Sequence, residues 1–98
     1  MTDHTSIARV PTHSASRYLQ QLAKHWSHKM TTTHSAEEGQ IAFPNGAALD
    51  MRADAETLDL ILAVPASEDA GRMREVVASH LDRFAFREAP LTFDWRDG

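Results

Sequence analysis

Between Thr12 and Lys29 the chain reads THSASRYLQQLAKHWSHK, with apolar residues Ala15, Tyr18, Leu19, Leu22, Ala23 and Trp26 at spacings of three and four. That spacing lines one stripe of a 3.6-residue period, so a helix is expected over Thr12–Lys29. Thr12 or Ser14 can cap its start by accepting a first-turn N–H, and His28 and Lys29 put positive charge in its last turn. On a helical wheel Trp26 stands at the centre of the stripe, His25 about 90° away at its edge, and His28 on the far side.

Elsewhere the period is two. Thr5–Pro11 reads as a strand with Ala8 and Val10 inward and Arg9 outward, ending at a proline that cannot donate to a ladder. Met30–Ser35 is threonine-rich and weakly amphipathic, as an edge strand would be. A turn over Ala36–Gly39 leads to a strand over Gln40–Phe43. Asn45-Gly46 is a tight-turn signal, since both residues tolerate positive φ. Ala47, Leu49, Met51 and Ala53 alternate with Ala48, Asp50, Arg52 and Asp54, and Leu58, Leu60, Leu62 and Val64 alternate again, so the three runs predict an antiparallel meander.

Pro65 ends the meander, and Ser67, with Glu68 and Asp69 behind it, predicts the start of a second helix over Glu68–Phe86. Its stripe is Ala70, Met73, Val77, Leu81 and Phe84. His80 lies about 35° from the stripe centre and is expected to be the most buried histidine. Its ring would need a partner, either a backbone carbonyl or the Tyr18 hydroxyl. Leu91, Phe93 and Trp95 alternate as a last strand or packed tail. The order β-α-β-β-β-β-α, with that optional final strand, predicts an α+β, two-layer sandwich with both helices on one face of an antiparallel sheet.

At 98 residues the chain is expected to form one small domain with a single core. With no cysteine, a disulfide, a thiolate metal site and a cysteine nucleophile are all excluded. No apolar run approaches a signal peptide or a membrane span, so a cytoplasmic location is expected. The net charge of −4 is uneven. Residues 1–36 carry four basic residues (Arg9, Arg17, Lys24 and Lys29) against Asp3, whereas residues 37–98 carry six arginines against thirteen acids. The first helix therefore offers an anion-attracting surface, or a solvated one that faces the acidic remainder. Basic residues are too sparse, and lack interleaved aromatics, for nucleic acid.

Several segments resemble the bacterial family known as domain of unknown function 2218. They are Ala8-Arg9-Val10, Arg17-Tyr18-Leu19, the K-H-W-x-H-K run at Lys24–Lys29, the F-P-x-G turn at Phe43–Gly46, and H-L-x-R-F-A-F-R-E at His80–Glu88. The resemblance implies a small cytosolic bacterial protein with no assigned activity, in a family often found beside siderophore-interacting proteins. Where the family pattern often has a cysteine in the first helix, this chain has Leu22-Ala23. The resemblance supplies no catalytic residue.

The candidate chemistry is sparse. His25 and His28, three apart on a helix, together with His80 could hold a metal, although no carboxylate stands at a matching spacing to orient them. His80 with Arg83 or Arg87 is the one acid–base pairing, and Ser79 lies outside any triad or elbow pattern. Arg83 and Arg87, four apart, could grip a carboxylate or phosphate, or pair with Asp82 and Glu88. The reading that follows is a non-catalytic binding or accessory module with His25, His28, His80, Arg83 and Arg87 as ligand-binding candidates. No cofactor is expected. The partner would be a small anionic ligand or another protein, with neither nucleic acid nor membrane involved. The alternatives are a histidine-based metal-binding protein and a small acid–base enzyme. The edge strand at Met30–Ser35 permits either a monomer or a homodimer joined by sheet extension.

Overall fold

The structure, a computed structural model, describes residues 4–88 and 91–97. Two helices and six strands follow one another as β1 (His4–Pro11), α1 (Ala15–Trp26), β2 (Thr31–His34), β3 (Glu38–Ala42), β4 (Ala48–Ala53), β5 (Thr57–Val64), α2 (Ala70–Phe84) and β6 (Arg96–Asp97). The strands form one antiparallel open sheet in the order β2-β3-β4-β5-β1-β6. The fold is α+β with both helices on one sheet face, as the two apolar stripes require. The chain threads back on itself: β1 pairs along its whole length with β5, Val10 opposite Leu58, and β6 then pairs with the free side of β1.

Alternation along the strands builds the core. Ala8 and Val10 of β1, Ile41 of β3, Leu49 and Met51 of β4, and Leu58, Leu60, Leu62 and Val64 of β5 all turn toward the helices and are fully buried. Leu19, Leu22 and Trp26 of α1 and Val77 and Leu81 of α2 close that layer. Gly39 of β3 packs closely under Leu19 of α1. A Cβ there would stand 3.1 Å from the Leu19 side chain and 3.2 Å from Met51, closer than ordinary contact.

Turn chemistry sets the boundaries, and here several sequence expectations move. Gly46 adopts φ +92°, the left-handed conformation that the Asn45-Gly46 signal anticipated. Between β4 and β5 the Asp54 carboxylate accepts the N–H groups of Glu56 and Thr57 and the Thr57 hydroxyl, which holds its acid well below the usual range. Helix α1 is shorter than Thr12–Lys29. The N–H groups of both Lys29 and Met30 converge on the Trp26 carbonyl, so the chain turns there and leaves His28 and Lys29 outside the helix. Ser14 is the N-cap residue but makes no side-chain cap; the Thr12 hydroxyl accepts the Ser14 N–H instead.

Helix α2 is also trimmed at both ends. Residues 65–68 are closed as a turn by the Glu68 N–H on the Pro65 carbonyl, so the cap falls on Asp69 rather than Ser67. Asp69 is extended, and its carboxylate accepts the Arg72 N–H at 3.1 Å. Asp69→Ala is expected to cost about 1 kcal/mol in denaturant melts, the usual worth of an N-cap. An unchanged midpoint would show that the helix start is held by other contacts. Beyond α2, Leu91 is buried and its N–H donates to the Asp82 carboxylate at 2.9 Å, while Phe93 and Trp95 stack against each other. The predicted last strand is thus an extended tail that pairs only at Arg96–Asp97.

Candidate functional site

The last turn of α1 meets α2 one turn before that helix ends. Trp26, 5% exposed, packs edge-on to Phe43 from the β3–β4 turn at 5.1 Å and lies 4.9 Å from the His80 ring. His25, next in the chain but turned to the rim, lies 5.5 Å from His80 and 5.7 Å from Phe84, ring centre to ring centre. His25 and His80, far apart in sequence, therefore form one pair, set among the Trp26, Phe43 and Phe84 rings.

His80 is half-buried rather than enclosed. Its Nδ1–H donates to the Val76 carbonyl one turn back, at 2.7 Å. This is the carbonyl partner expected from sequence, and it leaves Nε2 as the other ring atom. The Tyr18 hydroxyl, the other partner considered, is used elsewhere. The Ser79 hydroxyl donates to the same Val76 carbonyl and is not paired with His80, so the geometry assembles no nucleophile and base.

His25 is held below the usual histidine value of 6.5. Partial desolvation against the neighbouring rings is the main cause, and the positive charges of His80, Arg83, Lys29 and His28 add to it. Two of these come from α2 and two from the turn after α1.

Arg83 lies in the last turn of α2 and Arg87 beyond its end. Ala85, at φ −96° and ψ 33°, ends α2 before Arg87, so the two guanidinium groups no longer share a helical face. Arg87 lies over the exposed Phe86 ring instead. Nor do Asp82 and Glu88 neutralise them: Asp82 caps the Leu91 N–H, and Glu88 accepts hydrogen bonds from Thr12 and Tyr18. Among the described residues neither arginine forms an ion pair. Of the candidate residues, the structure brings His25 and His80 together, with Arg83, His28 and Lys29 close enough to act on His25 by charge, while Arg87 follows the end of α2. Among the described residues no group of three or more histidines and carboxylates is arranged to hold a metal ion.

The Thr12–Tyr18–Glu88 cluster had no signal in the sequence. Its members lie 70 and 76 positions apart, and Glu88 follows the end of a helix, where periodicity stops. The Thr12 hydroxyl reaches both Glu88 oxygens at 3.0 Å, and the Tyr18 hydroxyl donates to Oε2. Burial first, then this carboxylate, pushes the Tyr18 phenol above its ordinary value.

No helix among the described residues is long and apolar enough to cross a membrane. A protein-family profile described as "uncharacterized protein conserved in bacteria (DUF2218)" matches residues 7–96. The chain is also similar to PA4090 from Pseudomonas aeruginosa, solved by NMR. The two are 33% identical, superpose with a TM-score of 0.77, and overlap over 98% of this chain and 96% of that one. No curated protein matches.

Proposed function

We propose that this chain, which belongs to the DUF2218 family of uncharacterized proteins conserved in bacteria, is a non-catalytic binding module for a small, flat, anionic ligand. The observation that carries this reading is the His25–His80 pair, 5.5 Å apart, with Arg83 and Lys29 contributing charge and the half-buried Phe43 and Phe84 contributing ring surface. A carboxylate would accept from Arg83 and from each imidazole in its protonated form, and a ring attached to it would lie against the aromatic frame.

The pH dependence follows from His25. Its pKa in the free protein is below 6.5, so its cationic form is scarce at neutral pH. An anion that prefers the protonated ring should bind more tightly as pH falls through that value, and should raise the pKa of His25. Titrating the protein with benzoate, phosphate and ferric siderophores, read by NMR of the histidine rings, tests this. Benzoate is expected to shift His25 and His80 together, and Arg83→Ala to weaken it by about tenfold, the lower range for a charged hydrogen bond. Histidine rings that respond to none of the three classes of probe would refute the reading. The siderophore arm addresses a role in iron–siderophore utilisation, which the family's usual company suggests.

A second reading is favoured by the Val76 carbonyl on His80 Nδ1, the arrangement that frees Nε2 for a divalent metal. Zinc or nickel would need neutral rings, so its affinity would rise with pH. The sign of the pH dependence separates the two readings.

A further inference from the structure

The helices cover one face of the sheet, and among the described residues no element covers the other. On that bare face Ile7 of β1 and Ile61 of β5 stand directly opposite each other in the ladder, each 40% exposed. Beside them runs a row of four charged residues, one from each of four adjacent strands: Glu38, Arg52, Asp59 and Arg9. In the isolated chain these pair within the row, Arg9 with Asp59 at 3.1 Å and Arg52 with Glu38 at 3.3 Å. Exposed pairs of this kind contribute little to the stability of a monomer.

The order of the signs is informative. Read from β3 to β1 the row runs minus, plus, minus, plus. Turned over about a two-fold axis that runs along the strands between β4 and β5, it meets its own image with every charge opposite its complement. Glu38 faces Arg9 of the second copy, and Arg52 faces Asp59. That axis is also the middle of the six-stranded sheet, with three strands on each side. An isologous contact requires this kind of self-complementarity, and a row with like signs at the positions related by that axis would lack it.

We propose that the bare sheet face is a homodimer interface, on which a second copy of this chain packs sheet to sheet about that axis. Six strands at about 4.8 Å spacing, averaging roughly 18 Å in length, bury on the order of 1,000 Å² in total, the lower end for a specific contact. The dimer is therefore weak and exchanges readily. Extension through β2 is the lesser option: it is four residues long, and its sequence is Thr-Thr-Thr-His. Two positions work against the face-to-face contact. Gln40, the β3 neighbour of Asp50, meets Ile7 of the second copy. Asp50, the β4 neighbour of Ile61, meets Ile61 of the second copy across the axis.

Sedimentation of the intact chain over a concentration series, at low and at high salt, tests the proposal. The wild type is expected to move from monomer toward dimer with concentration, less so at high salt. Asp59→Arg should weaken the dimer by about tenfold or more, because it sets like charges across the axis. Adding Arg52→Asp to Asp59→Arg regroups the signs as minus, minus, plus, plus, which is again self-complementary, and should restore association. Asp50→Leu should tighten the dimer by about tenfold, by replacing a charge facing Ile61 with an apolar contact. A wild type that remains monomeric at millimolar concentration overturns the proposal. So does a dimer indifferent to Asp59→Arg and Asp50→Leu, which would place the contact at the β2 edge. Circular dichroism of each variant confirms that it is folded, and Asp50→Leu, an exposed substitution, remains informative if Asp59→Arg does not fold.

Discussion

Replacing Trp26 with alanine is expected to destabilise the protein by about 3–5 kcal/mol, the range for truncating a large aromatic in a packed core. The indole stands where three elements meet: α1, which carries it; α2, through His80 at 4.9 Å; and the β3–β4 turn, through Phe43 at 5.1 Å. None of these neighbours is small or flexible enough to fill the space left behind, so most of the cavity would persist. The carbonyl of the same residue accepts the two N–H groups that end the helix. That backbone function survives the substitution, so the measured loss reports packing. Guanidinium melts provide the number, and a loss below about 1 kcal/mol would mean that α1 docks differently.

Glu88→Ala is expected to cost about 2–3 kcal/mol, because it removes a charged acceptor shared by two hydroxyls that are themselves buried. Tyr18 is 6% exposed and Thr12 4%, so neither can exchange its lost partner freely for water. The contact ties the segment after α2 to the start of α1, and its loss should loosen the tail through Leu91 as well. A double-mutant cycle of Glu88→Ala with Tyr18→Phe should show strong coupling, since each change removes the same hydrogen bond. Additive losses would dissolve the clip as a unit. The same cluster sets an alkaline limit. The Tyr18 phenol is raised above 10.0 in the fold, so the native state holds this proton more tightly than the unfolded chain does. Its contribution is fully present below about pH 10 and is lost as pH rises through the folded value. Phenolate absorbance tracked alongside unfolding should show the two changing together, and Tyr18→Phe should abolish this part of the pH dependence.

Much of the architecture was legible residue by residue. Alternation in Ala47–Ala53 and Leu58–Val64 marked which side chains turn inward, and the stripe from Ala15 to Trp26 marked the face that α1 buries. These readings depend only on the geometry of one element and the cost of leaving apolar surface wet, so neighbouring residues suffice. The family resemblance rested on local runs of the same kind, and the match over residues 7–96 agrees with it.

What the tertiary structure decided were the pairings. An alternating strand shows its inner face but not its neighbour, so nothing in Thr5–Pro11 announced that β1 would lie between β5 and β6. The ends of the helices were decided by competition. Asp69 won the cap because Glu68 was already closed against Pro65, and α2 stopped at Phe84, which separated Arg83 from Arg87. His25 and His80 met because two stripes docked on one sheet face, which brought a rim residue of one helix against a half-buried residue of the other. Local periodicity follows from the chain's own backbone, whereas each of these contacts joins positions far apart in sequence, and only the closed core brings them together.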